Sequence, residues 1–157
     1  MVKKNYQVEI RDTKKCAMVM AKNQPVSLKY STELVREIRG KRVKRVEEFL
    51  KNIIEKKEHL PLKKYIKKTG HRKGIPRSAT KVGRYPIRLA ENFLKIILNL
   101  KANADYKGLD SNNLVIVHAF VCEGFRRASN QKQGRISGKR HRSKATHIEI
   151  VAMEASK

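Results

Sequence analysis

The chain has 157 residues, with 38 Lys and Arg against 14 Asp and Glu and a formal charge of +24, and its pI is near 10.4. This length suits one domain with a single modest core, and the self-repulsion of so much like charge calls for a polyanionic partner, nucleic acid or an anionic membrane. No window approaches roughly 18 uninterrupted apolar residues and the opening Met1-Val2-Lys3-Lys4-Asn5-Tyr6 lacks the apolar run of a signal peptide, so a soluble, intracellular protein without a membrane partner is expected.

Tyr6, Val8 and Ile10 alternate with polar residues and predict a short strand at a sheet edge. Residues 11 to 30 mix small, polar and apolar types around Pro25 and read mainly as irregular chain. Ser31 then suits the N-cap of a short helix through Arg39, with Leu34, Val35 and Ile38 on one side and Gly40 as the stop. Val43, Val46, Phe49, Leu50, Ile53 and Ile54 recur at helical spacing and predict a second helix from about Arg42 to Lys57 with one face turned inward. Its other side, Lys44, Arg45, Glu48, Lys51 and Glu55, is mixed in sign and suits solvent and RNA equally.

From about 59 to 85 the chain is a basic loop, punctuated by Pro61, Gly70, Gly74, Pro76 and Gly83, with little periodicity and little means of burying itself. Pro86 fits the first turn of a third helix running to about Lys107. Its apolar positions leave only a narrow polar strip of Arg88, Glu91, Asn92, Lys95 and Asn99, which marks the central core helix.

Gly108 ends that helix, and Leu114 to Cys122 predicts a strand with Val115, Val117, Ala119 and Val121 on one face. A matching strand at Ala145 to Glu154 puts Ile148, Ile150 and Ala152 on one face. Antiparallel pairing with Leu114 opposite Met153 brings the apolar faces together and centres a hairpin over about 114–153 between Gln133 and Gly134, with its tip near 130–138. Arms of that length run about 65 Å at the usual strand rise. The radius of gyration for this chain length is roughly 15 Å, so the distal half is expected to project.

The charge is not spread evenly. Between His59 and Ala90 stand Lys63, Lys64, Lys67, Lys68, Arg72, Lys73, Arg77, Lys81, Arg84 and Arg88 with no acid, and between Gly124 and Ile148 stand Arg126, Arg127, Lys132, Arg135, Lys139, Arg140, Arg142 and Lys144, again with none. Those two stretches hold +18 of the charge, leaving the other 100 residues at a net +6, unremarkable for a globular body. Lys and Arg neutralise phosphates and release counterions, and an Arg fork holds two phosphate oxygens. A merely solvated face explains such runs poorly. Arg72, Lys73, Arg77, Lys81 and Arg84 of the first stretch are therefore candidate RNA contacts. His71 and His141 within the runs are extra donors, and Tyr65, Tyr85 and Phe125 at their borders suit either base stacking or anchoring of the loops.

No catalytic arrangement is recognisable: Asp occurs only at 12, 105 and 110, and no P-loop, GxGxxG or Ser/His/Asp pattern appears. Cys16 and Cys122 lie 106 positions apart without a second pair and read as free thiols. His118, Cys122 and His147 share a predicted face, for which packing or local hydrogen bonding is favoured over a metal. No cofactor or metal is expected. The aromatic signature of an RRM, the GxxG of a KH domain and zinc-finger spacing are all missing, so recognition of folded RNA by shape and backbone is preferred.

Ile38-Arg39-Gly40-Lys41-Arg42-Val43, Val82-Gly83-Arg84, the run from Asn103 to Asp110, Leu114-Val115-Ile116, Gly134-Arg135-Ile136 and His147-Ile148-Glu149 occur in an order that resembles the large-subunit ribosomal protein 22 family. The likeness runs from about Val26 to Glu154 and, with a basic insertion between Lys57 and Arg84, is to the archaeal/eukaryotic type, whose eukaryotic members are numbered 17. The resemblance implies a body seated on the large subunit near the peptide exit and a hairpin passing through ribosomal RNA to line the tunnel. It makes Arg39, Lys41 and Arg42 body contacts with rRNA and Arg126, Arg127, Lys139, Arg140, Arg142 and Lys144 hairpin contacts. Lys132, Gly134 and Arg135 would lie nearest the tunnel wall and the nascent chain.

The expectation is therefore a single α+β domain over 1–157: a small antiparallel sheet packed on about three helices, with a long projecting β-hairpin. Its role would be that of a non-enzymatic, structural constituent of the cytoplasmic large ribosomal subunit, binding rRNA, assisting assembly and lining the exit tunnel. Its partners would be rRNA, neighbouring ribosomal proteins and the nascent polypeptide. The alternative is a free RNA chaperone or regulatory RNA-binding protein.

Overall fold

The computed structural model describes residues 6–10, 13–73, 80–135 and 138–155. In chain order these form a 3-10 turn at Thr13–Lys15, then β1 (Cys16–Gln24), α1 (Leu28–Ile38), α2 (Val43–Ile54), β2 (Leu60–Pro61), β3 (Gly83–Arg84), α3 (Ile87–Tyr106), β4 (Leu114–Glu123), β5 (Ala128–Asn130), β6 (Arg140–Arg142) and β7 (Thr146–Glu154). The main sheet is antiparallel in the order β1-β7-β4. The architecture is α+β, as the sequence predicts.

The three helices cover one face of this sheet. Ile148, Ile150 and Ala152 of β7, Ile116 and Ala119 of β4 and Ala17 and Val19 of β1 form one buried cluster with Leu34, Ile38, Phe49, Leu50, Ile53, Phe93, Ile97 and Leu100 of the helices. Each large aliphatic or aromatic side chain so buried contributes about 1.5–3 kcal/mol. β7 lies between the other two strands, and both of its faces are covered: beside the core-facing Ile150 and Ala152, Glu149 and Val151 of the outer face are also buried.

Five local expectations change in three dimensions. Tyr6, Val8 and Ile10 form no strand: the 6–10 segment lies over the outer sheet face, where Val8 and Ile10 line a shallow cavity together with Cys16, Val117 and Val151, and Gln7 N–H donates to Glu149 Oε2 at 3.1 Å. Its alternation reflects contact with a sheet rather than membership of one. The missing edge strand is Cys16–Gln24, within the stretch expected to be irregular. Because both of its faces are covered near its start, it shows no simple apolar/polar alternation.

The first helix begins at Leu28 with Ser27 as N-cap, and Ser31 is buried inside it. Gly40, at φ +76°, ends it, a conformation glycine reaches without steric cost.

The β4–β7 register also differs. Leu114 faces Glu154, and after a bulge at Val117 Ala119 faces Ile150 and Val121 faces Ile148. The extra residue switches faces, so Val115 and Val117 are not core-facing with Ala119: Leu114, Ile116 and Ala119 are buried, whereas Val117 is 51% exposed. Farther out, Ala128 pairs with Arg142 and Asn130 with Arg140, which centres the turn on Arg135.

Finally, the basic loop does bury its ends. His59, Leu60, Pro61 and Leu62 are inside, the short β2–β3 ladder closes it, and Leu62 N–H donates to Val82 O at 3.0 Å.

Candidate nucleic-acid interface

The second basic stretch is an arm growing from the β4–β7 ladder. At its base, Gly124 N–H donates to Ala145 O at 2.9 Å, Phe125 N–H to Asn23 Oδ1 at 3.0 Å and Asn23 N–H to His147 Nδ1 at 3.1 Å. Asn23 thus clips the arm to β1. Beyond, Ser143 N–H and Oγ both donate to Arg127 O, at 3.0 and 3.2 Å, and β5 and β6 form their own ladder.

Among the described residues every one from Phe125 to Arg135 and from Gly138 to Lys144 is exposed. Arg127, Lys139, Arg140, Arg142 and Lys144 therefore present their charges to solvent, as do Lys132 and Arg135, with Gly134, near the turn. Arg126 instead pairs with Glu123 at 2.5 Å. Phe125 is 73% exposed beside this charge.

In the first stretch, Arg72 is partly committed to the fold: its N–H donates to Lys81 O at 2.9 Å, its Nε to Gly83 O at 3.1 Å, and its guanidinium lies 5.9 Å from the Tyr85 ring centre. Lys73, Lys81 and Arg84 are exposed. Arg77 lies outside the described residues, as does Ile136 of the family-like turn.

The body cations are also shared with internal partners. Arg39 Nη2 donates to Ala119 O at 2.6 Å and Lys41 pairs with Glu37 at 3.6 Å. Arg42, the N-cap of α2, differs: only its backbone pairs, in an isolated β-bridge with Val115, and the residue is exposed.

Sequence reasoning passed over two acids that organise this surface. Glu33, only 1% exposed, accepts the backbone N–H groups of Lys64 and Tyr65 on Oε1, at 2.6 and 2.9 Å. Glu37, one helical turn on, pairs with Lys63 at 3.3 Å. A carboxylate on an otherwise apolar helix face is the available signal: Glu33 and Glu37 alternate with Leu34, Val35 and Ile38, positions that are all buried.

The outer sheet face carries the remaining chemistry. Burial pushes the His118 imidazole below its ordinary range, with Arg39 adding to the effect and Glu149 opposing it. Burial, then the Glu149 carboxylate, pushes the Cys122 thiol up. Cys16 and Cys122 are not joined in a disulfide. Cys122 faces His147 across the ladder; among the described residues no three His, Cys, Asp or Glu side chains gather as a metal site would require. Nor is any described helix long and apolar enough to cross a membrane.

The class defined by this geometry is a small α+β body of nearly ordinary charge carrying two acid-free cationic segments. The sequence pattern of the family described as ribosomal protein L22p/L17e matches residues 19–153, and the chain belongs to that family of structural ribosomal proteins, which are not enzymes. The large ribosomal subunit protein uL22 of Archaeoglobus fulgidus is 41% identical over 124 residues, covering 79% of each chain. The uL22 protein of Staphylothermus marinus is 37% identical over 153 residues, 96% of each chain. That of Pyrobaculum aerophilum is 31% identical over 157 residues, all of this chain and 84% of its relative.

Proposed function

We propose that this chain is a structural constituent of the cytoplasmic large ribosomal subunit that binds rRNA with its basic loop and arm, assists assembly, and lines the nascent-peptide exit tunnel with the arm's tip. The observation that carries this reading is the arm: a ladder whose described residues between Phe125 and Lys144 are exposed, acid-free and without a core, yet fixed at its base by Asn23. Such a segment gains its stabilising contacts outside the chain. Packed rRNA supplies them, because phosphates on facing helices neutralise an arm's charges on several sides and the released counterions favour binding.

On this reading the near-neutral body is the anchor, Arg42, Lys73, Arg77, Lys81 and Arg84 meet rRNA around it, and Arg127, Lys139, Arg140, Arg142 and Lys144 meet rRNA along the arm. Lys132, Gly134 and Arg135 stand at the tunnel wall. Neighbouring ribosomal proteins and the nascent polypeptide are the further partners.

Limited proteolysis tests the reading. The free chain is expected to be cut near 62–84 and 126–143, and large-subunit rRNA is expected to protect both. Equal cleavage with and without that rRNA counts against it. Crosslinks from a probe at Lys132 to a stalled nascent chain test the tunnel assignment, and their absence in assembled subunits rejects it.

A further inference from the structure

Three successive residues at the start of the basic loop are pinned to one face of α1. Glu37 neutralises Lys63 at 3.3 Å, and Glu33 Oε1 holds the amides of Lys64 and Tyr65 at 2.6 and 2.9 Å. Two N–H groups on one buried carboxylate oxygen fix the direction in which side chains 64 and 65 leave the backbone. Lys29, the second residue of α1, reaches the same place: its Nζ lies 5.7 Å from the Tyr65 ring centre, and that of Lys64 lies 5.9 Å away. Both lysines are exposed, the ring is half-buried, and among the described residues neither lysine has a carboxylate at ion-pair distance.

We propose that Tyr65, Lys29 and Lys64 form a ready-made seat for an unpaired RNA nucleotide, the ring stacking on the base and the two ammonium groups taking the flanking phosphates, with Glu33 as the positioning residue. This rests on the reading that the chain binds rRNA and specifies where one unpaired nucleotide goes. A single-stranded nucleotide offers a π face and phosphates on both sides, the complement of a ring with two exposed cations over it, which exchange the ring for the phosphates when a base stacks there. A duplex keeps its base faces stacked and offers only backbone and edges. The acids make the seat affordable in entropy: a loop backbone already tied to a helix loses less freedom on binding than a free one.

The test measures binding of the full chain to two probes, a short uridine-rich single-stranded RNA and an RNA duplex of the same length. Y65A is expected to weaken the single strand by about tenfold and leave the duplex unchanged, while Y65F retains single-strand binding. K29Q and K64Q are each expected to lower the salt slope for the single strand by about 0.7. E33Q is expected to weaken single-strand binding in the parent chain and to add nothing in the Y65A background, a coupling that a general loss of structure does not produce. Equal effects on both probes, or none on either, overturn the seat while leaving rRNA binding in place. Failure of the parent chain to bind either RNA overturns both.

Discussion

The imidazole of His59 occupies the space that a side chain on residue 83 would need: a Cβ at Gly83 would sit 2.1 Å from His59 Cδ2 and 2.7 Å from the Leu60 carbonyl oxygen. His59 is 1% exposed, and its ring meets Tyr85 edge-on at 6.4 Å. The β2–β3 ladder that closes the basic loop therefore depends on a glycine for close approach rather than for an unusual backbone angle.

G83A is accordingly expected to destabilise the chain by about 1–3 kcal/mol through overpacking, measured by urea unfolding. Adding H59A is expected to restore only part of this, since the Leu60 oxygen is backbone and remains in place. Full stability in G83A would show that the ladder shifts without cost.

Arg39 ties α1 to the β4 edge through the Ala119 carbonyl, whereas Arg42 is exposed and makes no such bond in the described structure. R39A is expected to cost about 1.5–3 kcal/mol of stability, the usual net value of a hydrogen bond from a charged group. R42A is expected to leave the unfolding midpoint unchanged while weakening rRNA binding. Parallel urea titrations and filter binding separate the two roles.

The arm contributes charge without core. Replacing Arg126, Arg127, Lys139, Arg140, Arg142 and Lys144 with Gln is expected to leave the stability of the body unchanged apart from the exposed Arg126–Glu123 pair, for which about 0–1 kcal/mol is usual. The same change is expected to flatten the dependence of log Kd for rRNA on log salt by roughly 0.9 for each phosphate contact removed. A large drop in melting temperature would mean that the arm is part of the fold.

His118 supplies a pH dependence. Its pKa in the folded chain is lowered, chiefly by burial, so the unfolded chain takes up the proton first on acidification. Stability is full above about pH 6.5, the ordinary imidazole value, falls as pH drops toward the lowered folded value, and levels off below it. H118N is expected to remove this component, seen as a flatter urea midpoint between about pH 7 and pH 5; an unchanged profile would assign the titration to another histidine.

The sequence by itself determined the properties that local order can carry. Segregation of charge into two acid-free stretches is visible in one dimension, as are the apolar periods of α2 and α3 and the glycine stops at Gly40 and Gly108, because each depends on residues a few positions apart. Tertiary structure decided the rest. Cys16–Gln24 became a strand only because β7 offered an edge to it, and the Val117 bulge set the β4–β7 register through packing against helices far away in sequence. Glu33 acquired its role when folding brought the amides of Lys64 and Tyr65 onto its buried carboxylate, a contact across 31 and 32 positions. Burial and long-range hydrogen bonding are properties of neighbours in space, and the chain acquires those neighbours only when it folds.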